Sequence, residues 1–144
     1  MARVLAVNIS ETKGVVKKPI EKGYFEVDNG LAGDAHAGNW HRQVSLLGQE
    51  SIDKLDKDKL KEKLCVGAFA ENLTTEGIIL YELPIGTKLR IGETEMEVTQ
   101  IGKECHTGCA IRQLIGDCVM PREGIFTKVL KAGWIKPGDE IEIL

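Results

Sequence analysis

The stretch Leu83-Pro84-Ile85-Gly86-Thr87-Lys88-Leu89-Arg90-Ile91-Gly92-Glu93-Thr94-Glu95-Met96-Glu97-Val98-Thr99-Gln100 decides the fold class. Lys88 to Ile91 reads as a short strand, Gly92 as a turn, and Glu95 to Gln100 as a strand alternating Glu, Val and Thr. Short strands with a turn about every eight to twelve residues favour a barrel or sandwich. The chain is therefore expected to be mainly β.

On the N-terminal side, Val4 to Ile9 is an apolar run with β-branched residues, the pattern of a buried strand. Lys13 to Lys22, polar with Gly14 and Pro19, reads as a solvated loop. Tyr24 to Val27 is a short strand closed by the turn signal Asp28-Asn29-Gly30. A polar loop from Gly33 to Arg42 follows, and Gln43 to Leu47 returns to a strand. Gly48 to Leu64 is a helix candidate, with Ile52, Leu55, Leu60 and Leu64 roughly on one face. Phe69 to Leu73 and Ile78 to Leu80 flank Thr74-Thr75-Glu76-Gly77, a tight-turn composition. On the C-terminal side, Gly124 to Ala132 reads as a second helix with Val129 and Leu130 in the core. Pro137-Gly138-Asp139 then turns the chain into a last strand, Glu140 to Leu144. Sixteen glycines suit a turn-rich β protein, and no repeat or linker divides residues 1–144, so one domain is expected.

The bulk numbers exclude several classes. A net charge of -3 argues against broad nucleic-acid binding, which needs a concentrated basic surface. Aromatics at 5% are too few for a base-stacking platform. No apolar run approaches the roughly 20 residues that cross a bilayer, and the N-terminus reads as a strand and not a signal peptide. A cytoplasmic protein is expected, in which the four cysteines are thiols and not structural bridges.

Residues 101–124 gather the groups able to attack, bind metal or hold an anion: Cys105, Cys109, Cys118, His106, Arg112 and Arg122. Two readings of Cys105-His106-x-x-Cys109 stand open. One is structural zinc, with Cys118 as third ligand and His106, His36 or His41 as fourth, although the usual two ligand pairs are not evident. The other is a reactive thiolate at Cys105, between Lys103 and His106, where nearby cations lower a thiol's pKa. In this reading Cys105 ends the strand that begins near Met96. Cys65 and Cys118 fit the bland role of small buried hydrophobes. A third competitor, a dithiol redox pair of Cys105 and Cys109, lacks the usual Cys-x2-Cys spacing. A second polar cluster holds Asp34, His36, His41 and Arg42; histidine is the switchable base or ligand near neutral pH, while Asp34 could simply cap a turn. Glu71-Asn72 sits in an apolar setting and must be hydrogen-bonded there.

The chain resembles a stand-alone MOSC domain, the domain found at the C-terminus of molybdenum-cofactor sulfurases. The resemblance rests on Leu31-Ala32-Gly33-Asp34-Ala35-His36, His41-Arg42-Gln43-Val44-Ser45-Leu46-Leu47 and Gly67-Ala68-Phe69-Ala70-Glu71-Asn72-Leu73-Thr74. Leu83 to Leu89, Val98-Thr99-Gln100 five residues before Cys105, and Gly124-Ile125-Phe126 with Val129-Leu130 complete it. It implies a mainly β, barrel-like fold with a few short helices. It also implies that Cys105 is the functional cysteine, carrying sulfur or ligating the molybdenum of a bound pterin cofactor. Asp34, His36, Arg42, Glu71, Asn72, His106 and Arg122 are then the candidates for binding that cofactor, with Arg42 and Arg122 on its phosphate.

The resemblance further implies a role in cofactor maturation or delivery, or molybdenum-dependent reduction of small N-hydroxylated compounds. Molybdopterin or a persulfide donor would be the small partner, and a molybdoenzyme or cofactor-biosynthesis enzyme the protein partner; nucleic acid and membrane are not expected. The pyridoxal-phosphate domain of the sulfurases does not fit within 144 residues, so neither that cofactor nor complete cysteine desulfurase activity is expected. Two departures stand out. Many relatives carry proline before the cysteine, where this chain has Glu104, and the chain adds His106 and Cys109. A neighbouring carboxylate raises a thiol's pKa, so Glu104 weakens the nucleophile unless it points away.

Overall fold

Alternation of buried and exposed side chains builds the architecture seen in a computed structural model, which describes residues 2–10, 18–35, 37–49, 71–102 and 124–144. Its strands, in chain order, are β1 (Arg3–Ile9), β2 (Lys18–Ile20), β3 (Gly23–Glu26), β4 (Gly30–Leu31), β5 (Val44–Gly48) and β6 (Leu73–Glu76). They continue as β7 (Lys88–Ile91), β8 (Thr94–Ile101), β9 (Ile125–Lys131), β10 (Gly133–Ile135) and β11 (Ile141–Ile143). Eight of them form one sheet in the order β11-β7-β8-β9-β5-β6-β1-β2, and a smaller sheet runs β10-β3-β4. Every pairing in the large sheet is antiparallel except β5 with β6. A parallel neighbour requires a crossover of a dozen or so residues, and the chain between Gly48 and Leu73 supplies it. Gly48, expected to open a helix that runs to Leu64, is instead the last residue of β5, and the expected helix from residue 50 onward lies outside the described residues.

The large sheet bends back on itself. Val4 N–H donates to Asp139 O at 2.8 Å, Gly138 N–H to Val4 O at 2.7 Å, and Ile141 N–H to Ala2 O at 3.0 Å. Arg3 and Glu140 form an isolated antiparallel bridge there. The start of β1 thus meets the chain entering β11, giving a barrel-like wrap whose seam is this short contact. Inside lie Val4, Val7, Leu46, Leu73, Leu89, Ile91, Met96, Val98 and Ile125, all at 0% exposure. Phe25, Leu31 and Ile135 of the smaller sheet join the same cluster and cover part of the wrap. Burying one such side chain stabilises by about 1.5–3 kcal/mol, so the core needs both sheets. Among the described residues, no helix is long and apolar enough to cross a membrane.

Four sequence readings are corrected. Gly124 to Ala132 is not a helix: Ile125–Lys131 is β9, paired with β5 and β8. Its β-branched Ile125, Thr127 and Val129 recur every second residue and are buried, a strand period. Leu130, expected in the core, is 39% exposed. Thr74-Thr75-Glu76 is not a turn but the body of β6, held between β1 and β5; both threonines are fully buried, and the turn waits for Gly77. Ile78 to Leu80 leads instead into a 3₁₀ turn, Leu80–Glu82. Finally, Lys18–Ile20 of the supposed loop pairs with β1 as an edge strand, where Pro19 costs no ladder bond.

Candidate functional site

The loop from β4 to β5 carries the polar cluster Asp34 to Arg42. Its two ends touch at Gly30, whose φ is +110° and where a Cβ would lie 2.5 Å from the Gln43 carbonyl oxygen. Only glycine permits that conformation and that approach. Asp34 is buried and its Oδ1 accepts the Ser10 N–H at 3.1 Å, while Ala35 N–H returns to Ser10 O at 2.8 Å. Gln43, also buried, accepts the Val129 N–H on its Oε1 at 2.9 Å. Asp34 and Gln43 thus fasten the loop to β1 and β9, and the segment Trp40-His41-Arg42 is presented between them.

Arg42 is half-buried. Its guanidinium lies 4.7 Å from the Trp40 ring centroid and 5.7 Å from that of Phe126. Among the described residues its Nε is buried without a hydrogen-bond partner and no carboxylate pairs with it. A cation removed from water without a counter-charge is costly. The two aromatic faces recover part of that cost. The remaining donors suit an anionic group, since a guanidinium fork matches phosphate geometry.

A bulge in β8 brings the neighbouring strand into the same site. Val98 pairs with Thr127 and Gln100 with Phe126, so Thr99 is the extra residue. Its hydroxyl donates to the His41 carbonyl and lies 3.1 Å from Phe126 O. The next residue, Gln100, bridges two groups: its Oε1 is 2.7 Å from His41 Nε2, and its Nε2 donates to Gly102 O at 2.7 Å. Gly102 N–H in turn donates to Gly124 O at 2.6 Å. Gly102 and Gly124 are therefore tied to each other, and through Gln100 to His41.

Behind this surface lies a buried polar network. Asn72 Oδ1 accepts from Ser45 N at 3.0 Å and lies 3.2 Å from Ser45 Oγ, and Asn72 Nδ2 donates to Asn8 O at 3.3 Å. Asn8 Nδ2 donates to Glu71 O at 3.2 Å and to Thr74 Oγ1 at 3.0 Å, and Thr74 Oγ1 donates to Glu71 Oε2 at 2.9 Å. Asn8, Glu71, Asn72 and Thr74 are all at 0% exposure. They join β1, β5 and β6 at their polar ends.

Of the residues expected from sequence, Arg42 presents a charged group, while Asp34, Glu71 and Asn72 belong to the buried bracing. Cys105, His106, Arg122 and His36 lie outside the described residues, as do Cys109 and Cys118 of the zinc reading. β8 ends at Ile101, so Cys105 does not end that strand but follows it by four positions. Among the described residues no group of three or more His, Cys, Asp or Glu could hold a metal ion. A separate hollow of about 500 Å³, lined by residues including Arg90, Glu93, Trp134, Lys136 and Asp139, opens beside the β7–β8 turn. The run of β8 from Thr94 to Gln100, about 20 Å along the strand at 3.3 Å per residue, separates it from the Gln100 that meets His41. Four of its charged residues are paired with one another, Arg90 with Glu142 at 3.2 Å and Lys136 with Asp139 at 2.6 Å. The Asp139 hydrogen bond and charge hold the Lys136 ammonium above its usual pKa.

Sequence reasoning missed the His41–Gln100 pair, the Trp40 and Phe126 faces around Arg42, and the role of Asn8. Gln100 was visible only as part of a motif, because strand alternation does not announce a bulge. The MOSC domain family model matches residues 33–142. The YuaD protein of Bacillus subtilis is similar in structure, with TM-score 0.79 at 20% identity, covering 99% of this chain and 96% of that one. YiiM from Geobacillus stearothermophilus gives TM-score 0.75 at 18% identity, covering 100% of this chain and 75% of that one. YiiM from Escherichia coli gives 0.66 at 20%, covering 99% and 69%. At such identities the structural likeness speaks for the fold. No curated protein matches the chain.

Proposed function

The chain belongs to the MOSC domain family, which is linked to molybdenum-cofactor proteins, and from that membership we propose that it binds the molybdenum cofactor and carries sulfur or cofactor to other enzymes. The observation that carries this reading is the half-buried Arg42 guanidinium, stacked on two rings with Nε unpaired among the described residues. An anionic group of the size of a pterin phosphate satisfies those donors. In this reading Arg42 holds the phosphate, with Arg122 as its second cation. Asp34, Glu71 and Asn72 act indirectly, by fixing the loop and strand ends around the site, and His36 and His106 are further candidates for binding the cofactor.

Cys105 supplies the soft thiolate, the ligand type that suits molybdenum or a carried sulfur atom. Only three peptide units separate it from Gly102, about 11 Å at full extension, and Gly102 is anchored through Gln100 to His41. When bound, the cofactor would supply a metal able to accept and release electrons and sulfur; the chain's own groups bind and orient it.

Mass spectrometry after incubation with a persulfide donor tests the carrier role. The expected result is a mass gain of one sulfur atom on wild type that Cys105→Ala abolishes. Uptake that persists in Cys105→Ala contradicts the assignment of the thiol.

A further inference from the structure

We infer that the β8 bulge positions the anion site: Thr99 and Gln100 are positioning residues that set the Arg42 guanidinium against Trp40 and Phe126 before an anion binds. The inference deepens the reading of Arg42 as the phosphate-holding residue and rests on it. On a regular strand, neighbouring side chains leave on opposite faces. Here both reach His41, the residue before Arg42. The Thr99 hydroxyl donates to the His41 carbonyl, and Gln100 Oε1 lies 2.7 Å from the His41 ring Nε2. The extra residue in β8 permits this, since Val98 pairs with Thr127 and Gln100 already with Phe126.

Each contact governs one ring. Phe126 is fixed within the sheet, paired with Ser45 of β5 on one side and with Gln100 of β8 on the other. The Thr99 hydroxyl lies 3.1 Å from Phe126 O while it donates to the His41 carbonyl, so it joins the loop to that fixed strand. The His41 carbonyl shares a planar peptide unit with the Arg42 nitrogen. Holding the oxygen therefore sets where Arg42 starts relative to the Phe126 ring, which lies 5.7 Å from the guanidinium. The Gln100 amide is held at both ends, because its Nε2 donates to Gly102 O at 2.7 Å. It holds the His41 ring, which Trp40 meets edge-on at 6.1 Å between centroids. Trp40 in turn faces the guanidinium at 4.7 Å.

An arginine side chain is rich in rotamers, and ordering it on binding weakens affinity. A guanidinium already placed by its surroundings loses less freedom for each hydrogen bond that it forms. The bulge thus presets the Arg42 fork for a phosphate group, although neither Thr99 nor Gln100 has to touch the ligand.

The test reads the arginine and the affinity separately, with inorganic phosphate as probe at constant ionic strength. Thr99→Val keeps the β-branched shape that suits a strand, so folding is expected to survive, and thermal melts check it. In arginine-labelled protein, with the Arg42 side-chain signals identified by their loss in Arg42→Ala, ring currents displace those signals in wild type. The displacement should shrink in Thr99→Val and in Gln100→Leu. Phosphate affinity should fall by about tenfold in Thr99→Val, the upper scale of one net hydrogen bond, and Thr99→Ser should restore it. In an Arg42→Ala background Thr99→Val should have no further effect, because the two act as one unit. Wild-type affinity and unchanged Arg42 signals in Thr99→Val overturn the positioning role and leave the phosphate reading intact. An equal loss with and without the Arg42 side chain also overturns it, since the effect then does not run through Arg42. Phosphate that leaves the Arg42 signals of wild type in place overturns the phosphate reading and, with it, the purpose assigned to the bulge.

Discussion

Replacing Asn72 by alanine is expected to destabilise the fold by about 3 kcal/mol. The side chain joins three strands: Oδ1 receives the Ser45 N–H and lies within bonding distance of the Ser45 hydroxyl, and Nδ2 donates to the Asn8 carbonyl. Asn72 and Asn8 have no exposed surface, and Ser45 is buried. Truncation leaves these partners in a dry interior, where each unsatisfied polar group costs about 1–3 kcal/mol. The small cavity left behind adds to this. For a chain of this length, that loss lowers Tm by about 6–12 °C. Urea denaturation followed by circular dichroism measures it. A change below about 0.5 kcal/mol, the range of ordinary surface substitutions, would show that the network contributes nothing. Asn72→Asp should not rescue the fold, because it keeps the acceptor but removes the donor and adds a buried charge.

Replacing Arg42 has the opposite signature: a large loss of binding with little loss of stability. Among the described residues Arg42 forms no ion pair, and its Nε is buried without a partner. Removing an uncompensated half-buried cation should therefore leave Tm of the ligand-free protein unchanged or raise it. Affinity for molybdopterin should fall by about 10²-fold in Arg42→Ala. That figure corresponds to roughly 2.7 kcal/mol, the scale of one or two charge-assisted hydrogen bonds. Arg42→Lys should recover only part, since an ammonium keeps the charge but loses the planar fork and the stacking on Trp40 and Phe126. Calorimetric titration together with thermal melts of the same proteins separates the two effects. Equal affinity in wild type and Arg42→Ala, or a large drop in Tm without ligand, would make Arg42 a structural residue.

Much of the strand framework was legible because its signals are local. Val4 to Ile9, Lys88 to Ile91 and Glu95 to Gln100 carry their own alternation, and each appears as a strand within a residue or two of the expected limits. The failures have tertiary causes. Thr74 and Thr75 look like turn residues in sequence, yet β1 and β5 bury both, and Asn8 and Glu71 satisfy the Thr74 hydroxyl. In Gly124 to Ala132 the β-branched alternation competed with a helix-like pair, Val129-Leu130. Two flanking strands decided the outcome.

The site was legible in the same uneven way. A motif names Arg42, but only the packing shows that its charge rests on Trp40 and Phe126, with no carboxylate opposite among the described residues. Asp34, Glu71 and Asn72 share the motifs that carry Arg42, and their hydrogen bonds make them braces of the scaffold. The pairing of His41 with Gln100 depends on the β8 bulge, a two-against-one register that no single strand's sequence announces.

Elemental analysis of the protein after incubation with molybdenum cofactor and desalting tests the central claim most directly. The account predicts about one molybdenum per chain, retained together with its pterin and lost in Cys105→Ala or Arg42→Ala. One zinc per chain, with neither molybdenum nor pterin retained, would contradict it and make the Cys105, Cys109 and Cys118 cluster a structural metal site.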